Sequence, residues 1–232
     1  MADNPDSAVT LGGCQTLDLP MTEISLDKIL RVQGYRDLSA VRADVREIAT
    51  VMTTKAATLV APTARYRRVC VDSCNGDTLK LATGIYLKSE IFTHVLRNCE
   101  HVLPFVLTLG EEIDHEVSEH LKKDEIVQGL FLETAGWLSI EQASRQLALH
   151  LQRQIKKDGL GLTRRLGPGY NEWDLIGQKP LFELFSDTAL PVQLLESCVM
   201  FPKKSRSGLY GLRPLSSPRT GTVPLWETTY EH

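Results

Sequence analysis

Apolar residues recur at helical spacing between positions 43 and 60, where Val45, Ile48, Ala49, Met52, Ala56, Leu59 and Val60 fall on one face and Pro62 follows the end. A second helical pattern, Ile113, Val117 and Leu121, occupies 111–122. A third opens at Asp124 and carries Val127, Phe131, Ala135, Leu138, Ala143, Leu147, Leu151 and Ile155 as one stripe until Gly159. Unbroken, that helix would be roughly 50 Å long, with Gly129 and Gly136 as its weak points. Alternation replaces this period elsewhere. Tyr66, Val69 and Val71 mark a strand over 65–73, and Asn75-Gly76-Asp77 supplies a tight turn into a second strand over 78–82, which predicts a hairpin. The spacing further predicts a short helix over 89–98 capped by Ser89, and an edge strand over 101–109, because Pro104 has no N–H to donate.

From Gly159 to Gly169 four glycines and Pro168 interrupt any period, which argues against regular structure there. A short helix is expected over 178–186, a strand over 191–201, a turn at Pro202-Lys203-Lys204-Ser205, and a strand over 207–212. Residues 1–24 and 215–232 carry no period and read as disordered or irregular tails around one domain over 25–214, with no internal repeat.

Charge and composition narrow the function classes. With 26 basic and 29 acidic side chains among 232 residues the net charge is −3, which does not supply the basic excess of a nucleic-acid binder. No run of 18 apolar residues occurs and the first ten residues have neither a basic nor an apolar leader region, so a cytoplasmic protein without a membrane span is expected. Cys14, Cys70, Cys74, Cys99 and Cys198 show no CxxC spacing, and an odd count suits reduced thiols rather than a disulfide framework. Six histidines form no HxxxH pair, and no P-loop is present, so neither a metal site nor a phosphate cradle is expected.

Two segments carry chemistry. Arg165-Leu166-Gly167-Pro168-Gly169-Tyr170 sets bare backbone beside a guanidinium whose fork matches a carboxylate, although composition by itself favours a surface turn with a solvated Arg. About 30 residues later, Glu196-Ser197-Cys198-Val199-Met200-Phe201-Pro202 leads into Ser205-Arg206-Ser207-Gly208-Leu209-Tyr210.

In this order the two segments resemble the activation, or reactivation, domain of cobalamin-dependent methionine synthase. That family carries an RxxxGY loop, a Gln followed by a Leu-Phe-rich helix, an ES-x-x-M-x-P strand and a Ser-x-Ser-Gly-x-Tyr turn. Here the matches are Arg165, Pro168, Gly169, Tyr170, Gln178, Leu181, Phe182, Leu184, Glu196, Ser197, Met200, Pro202, Ser205, Ser207, Gly208 and Tyr210. Upstream, Gly34-Tyr35, the hairpin, Thr108-Leu109-Gly110 and the stretch from Ala135-Gly136 to Glu141 resemble a free-standing form of the domain, so the likeness spans roughly residues 25 to 214. The family's N-terminal acidic-aromatic motif and its late tyrosine-bearing strand have no recognisable counterpart.

The resemblance implies an α+β fold, a twisted and mostly antiparallel sheet with flanking helices. It implies binding of S-adenosylmethionine by Glu141, Arg165, Gly167, Gly169 and Tyr170, with Arg165 on the α-carboxylate and Glu141 near the ammonium or sulfonium. A solvated helical Glu explains position 141 as well. Glu196, Ser197, Met200, Lys203, Ser205, Ser207 and Tyr210 would face cobalamin or the partner that carries it. Lys203 and Lys204 stand where the family has small residues, and read either as contacts to that partner or as a solvated turn. The implied role is to support reductive remethylation of cob(II)alamin on a cobalamin-dependent methionine synthase whose core is a separate chain, with a flavodoxin-like or other reductase as electron donor. Such methyl transfer needs alignment rather than a general base, and none of the motifs of proton-transfer catalysis is present. The alternative is a non-catalytic adaptor, or an activator docking on another corrinoid methyltransferase protein. A chain of this length leaves no room for homocysteine, folate or cobalamin modules.

Overall fold

The computed structural model describes residues 12–20, 24–170 and 172–215. Along the chain these form β1 (Gln15–Asp18), α1 (Leu26–Val32), α2 (Ala43–Leu59), β2 (Thr63–Tyr66), β3 (Val69–Asn75), β4 (Thr78–Leu81), β5 (Tyr86–Lys88), α3 (Ile91–Val95), β6 (His101–Thr108), α4 (Glu112–Lys122), α5 (Ile126–Lys156), β7 (Leu160–Leu162), α6 (Gln178–Glu183), β8 (Gln193–Leu194), β9 (Met200–Phe201) and β10 (Ser205–Pro214).

The class is the expected α+β, with every strand pairing among the described residues antiparallel. One curled sheet runs β1-β2-β6-β3-β4-β5, and β10 joins β6 on its other side and leads on to β7. One face of it packs on α1, α2, α4 and α5. The other carries a second apolar cluster around Phe92, Trp173, Leu181 and Phe185.

The helical stripes form as their period requires. In α5 the residues Phe131, Ala135, Leu138, Ala143, Leu147, Leu151 and Ile155 are buried, and 31 residues give a rod of about 46 Å. Its two glycines do not break it. A Cβ at Gly129 would lie 3.1 Å from Leu121, and one at Gly136 only 2.9 Å from Ile113, so both positions let α4 press closely on α5. Val127 and Leu121, expected inside, are exposed at the corner between the two helices.

Several expectations are corrected. Strand β6 is central rather than an edge, although it contains Pro104. Leu209, opposite Pro104, turns its N–H away toward Leu166, while the Pro104 carbonyl accepts from Arg67. The missing donor of Pro104 therefore faces the break between β2 and β3, where no ladder bond is lost. That break also splits the strand expected over 65–73. Ser89 does not cap α3 with its side chain; its hydroxyl donates to the Glu172 carbonyl at 2.9 Å, joining this helix to the later loop. The segment 191–201 is a two-strand hairpin of β8 and β9 rather than one strand, and the glycine-rich stretch begins with β7. The expected tail over 1–24 contains β1, which pairs with β2 from Gln15 to Asp18. In the expected tail over 215–232 only Leu215 lies among the described residues.

Candidate functional site

The cleft is assembled from α5, the loop after β7, and the start of β10. Along α5, Glu133, Trp137 and Ile140 recur at three- and four-residue spacing and share a face, and Glu141 and Ser144 continue that line. Gly169 takes φ +85°, which swings Tyr170 outward, and a Cβ at Gly208 would lie 2.3 Å from the Leu166 carbonyl. That absence of a side chain lets the loop pair against β10 through the Leu166–Leu209 bridge. The resulting cleft of about 290 Å³ is lined by those three α5 residues, Pro168, Tyr170, Gln178, Met200 and the run from Lys203 to Ser207.

The turn that forms its floor is heavily tied down. Lys204 is buried and its ammonium donates to Asp114 at 3.3 Å and to Glu133 at 2.7 Å, while the backbone N–H of Lys203 donates to Asp114 at 2.6 Å. Ser205 donates to the Pro202 carbonyl at 2.6 Å, and Ser207 donates to Gln178 at 2.6 Å. Arg206, also in the lining, forms an ion pair with Glu141 and donates to Ser144 at 3.1 Å.

The electrostatics of this layer follow from burial. Arg165 has its Nη1 buried without a hydrogen-bond partner, and its Cζ stands 5.4 Å from the centre of the Tyr170 ring. Burial and then the charge of Arg206 push the Arg165 guanidinium below its ordinary value. Burial alone would raise the Glu141 carboxyl, but the hydrogen bond and charge of Arg206 overcome it and hold the group below the ordinary carboxylate range. Tyr210 stacks on Phe105 with ring centres 5.5 Å apart, and burial pushes its phenol up to about 12.

The sequence-derived residues divide clearly. Tyr170, Met200, Lys203, Ser205 and Ser207 line the cleft. Arg165 and Glu141 lie next to it but not in its wall, reached through Tyr170 and Arg206 respectively, and Gly167 and Gly169 shape the loop. Glu196 and Ser197 are exposed in the turn between β8 and β9, away from the cleft lining. Two expectations fail. Tyr210 is buried in the core, so it faces no partner, and Lys204 is consumed by two carboxylates and so is neither solvated nor free for a partner. Sequence reasoning missed Glu133, Trp137 and Arg206. The helical spacing of the first two was the available signal, while Arg206 stood between the matched Ser205 and Ser207 without one.

Among the described residues no group of three or more His, Cys, Asp or Glu could hold a metal ion, and no helix is long and apolar enough to cross a membrane. All five cysteines are free thiols.

No family model matches the chain, and no curated protein matches its sequence. The architecture nevertheless defines a known class, the reactivation-domain fold of a curled antiparallel sheet with helices on its faces. A solved structure described as the MetH reactivation domain bound to AdoHcy matches over 94% of this chain and 85% of that one, with a TM-score of 0.63 at 13% sequence identity. The likeness read from the motifs is thus borne out at the level of the fold.

Proposed function

We propose that this chain is a free-standing reactivation domain that binds S-adenosylmethionine and supports remethylation of the cobalamin held by a separate methionine synthase core. The observation that carries the reading is the buried, unpartnered Nη1 of Arg165 on the loop whose Pro168 and Tyr170 wall the cleft. An orphaned guanidinium donor is costly inside a protein and calls for an anionic acceptor such as the α-carboxylate of an amino acid. The fold supports the same reading, since the solved structure that shares it holds AdoHcy.

The donor set fits such a ligand. When bound, S-adenosylmethionine supplies a methyl group activated by a sulfonium. Arg165 fixes the carboxylate, Tyr170 covers the loop side, and Trp137 and Met200 offer apolar surface to the rest of the molecule. The cleft volume is near the lower end of small-ligand sites, about 300 Å³. Lys203 at its rim, with the exposed Glu196 and Ser197 on the adjoining hairpin, forms the partner-facing side. The work of the chain is alignment and exclusion of water, so it needs no acid–base residue.

The ion pair of Glu141 with Arg206 favours a second reading, an adaptor that docks on a corrinoid protein without using the ligand, because the acid expected at the ligand's cationic end is already neutralised. Adding the purified chain to a cobalamin-dependent methionine synthase that lacks its own reactivation domain, in the oxidised state with a flavodoxin-type reductant, separates the two. Recovery of activity that requires S-adenosylmethionine supports the first, and recovery without it supports the adaptor.

A further inference from the structure

Two guanidinium groups, Arg165 and Arg206, share the space between α5 and the first half of β10 with the Glu141 carboxylate, while Glu133 on the same helix is taken up by Lys204. Alternation along β10 puts Arg206 and Tyr210 on one face, and the Leu166–Leu209 bridge sets Arg165 opposite Tyr210 on that same face. Arg206 lines the cleft beside Tyr170, and Arg165 lies against the Tyr170 ring. Glu141 pairs with Arg206, which also donates to the Ser144 hydroxyl, while Arg165 keeps a buried donor without an acceptor. The side chains of Arg206 and Glu141 are only 9% and 18% exposed and neutralise each other, so Arg165, with its buried Nη1, stands beside that pair without a carboxylate of its own.

We infer that Arg206 and Arg165 form a two-guanidinium seat for one carboxylate of the ligand, and that Glu141 serves to neutralise Arg206 instead of receiving the ligand's ammonium. The inference rests on reading the cleft as an S-adenosylmethionine site and makes that reading more specific. Affinity then follows the carboxylate of the ligand and is indifferent to its amino group.

The test is calorimetry on the intact chain with S-adenosylhomocysteine, its desamino analogue, which keeps the carboxylate, and methylthioadenosine, which has neither group. The desamino analogue should bind within about threefold of S-adenosylhomocysteine, and methylthioadenosine roughly 10- to 100-fold more weakly, as loss of a charge-assisted hydrogen bond requires. In the double variant Glu141→Gln with Arg206→Gln, which removes both charges together, the preference for the carboxylate-bearing ligand should fall by about tenfold or more. The wild-type ligand series stands alone if that variant does not fold. A loss of about tenfold on removing the amino group, equal binding of methylthioadenosine, or a preference that survives the double variant would each overturn the seat. If no nucleoside binds but L-methionine raises the Tm of the wild type and not of the double variant, the seat stands and the S-adenosylmethionine reading falls. If no carboxylate-bearing probe acts, both fall.

Discussion

Asp114 on α4 and Lys204 just ahead of β10 lie 90 positions apart in the chain, yet the carboxylate accepts from the Lys204 ammonium at 3.3 Å and from the Lys203 backbone N–H at 2.6 Å. Both side chains are only 7% exposed. The Lys204 stem passes over Gly136, where a Cβ would stand 3.0 Å from it, so α4, α5 and the cleft floor meet at this pair.

Removing Asp114 leaves the buried Lys204 ammonium with the half-exposed Glu133 as its one remaining carboxylate and takes the acceptor from the Lys203 backbone N–H. Asp114→Ala is expected to lower unfolding stability by about 3–5 kcal/mol in urea titrations. A double cycle with Lys204→Met should recover part of that loss, because the buried ammonium is then gone as well. A cost under about 1 kcal/mol for Asp114→Ala would mean that the pair does not hold the floor.

Glu141 gives a pH signature. Its carboxyl is held below the ordinary value of 4.5 because the hydrogen bond and charge of Arg206 outweigh burial. A depressed carboxyl contributes stability that is complete above the unfolded value and is lost as pH falls through the folded one. Glu141→Gln should therefore cost about 1–3 kcal/mol near neutrality, with the gap to wild type closing only at pH below that ordinary value. A gap that stays constant through acid would contradict the pairing.

Gly208 is a steric requirement. A Cβ there meets the Leu166 carbonyl at 2.3 Å, with backbone rather than a movable side chain on the far side. Gly208→Ala should separate the loop from β10, lowering stability by about 1–3 kcal/mol or more and weakening any ligand held by Arg165 and Tyr170. Hydrogen exchange at the Leu166 and Leu209 amides, which bond each other's carbonyls, should accelerate in the variant.

Burial pushes the Cys99 thiol up to about 11, so little thiolate exists at pH 8. Native alkylation with iodoacetamide followed by mass spectrometry should leave Cys99 unmodified and label it only after unfolding. Rapid native labelling would place that residue outside the core.

Much of this arrangement was legible in the sequence wherever the cause is local. The long helix follows from one apolar stripe, the β3–β4 hairpin from Gly76 with its φ of +58°, and the loop from Arg165 to Tyr170 from its glycines. What remained hidden depends on distant partners. Pro104 reads as an edge signal until β2 and β3 are seen to part opposite it. Gln15–Asp18 has the composition of a tail and becomes a strand only because β2 offers it an edge. Lys203 and Lys204 read as a solvated basic turn, and nothing next to Lys204 or Arg206 in the chain reveals that Asp114, Glu133 and Glu141 wait on two helices. Tyr210 matches a motif but sits on the inward face of β10, where alternation sends it to Phe105.

The central claim, that this cleft binds S-adenosylmethionine through Arg165, is tested most directly by titrating the intact chain with that ligand in a calorimeter, alongside Arg165→Ala. The expected result is saturable one-site binding that weakens by about tenfold or more in the variant. Absence of binding by the wild type, or equal affinity in the two proteins, would contradict it.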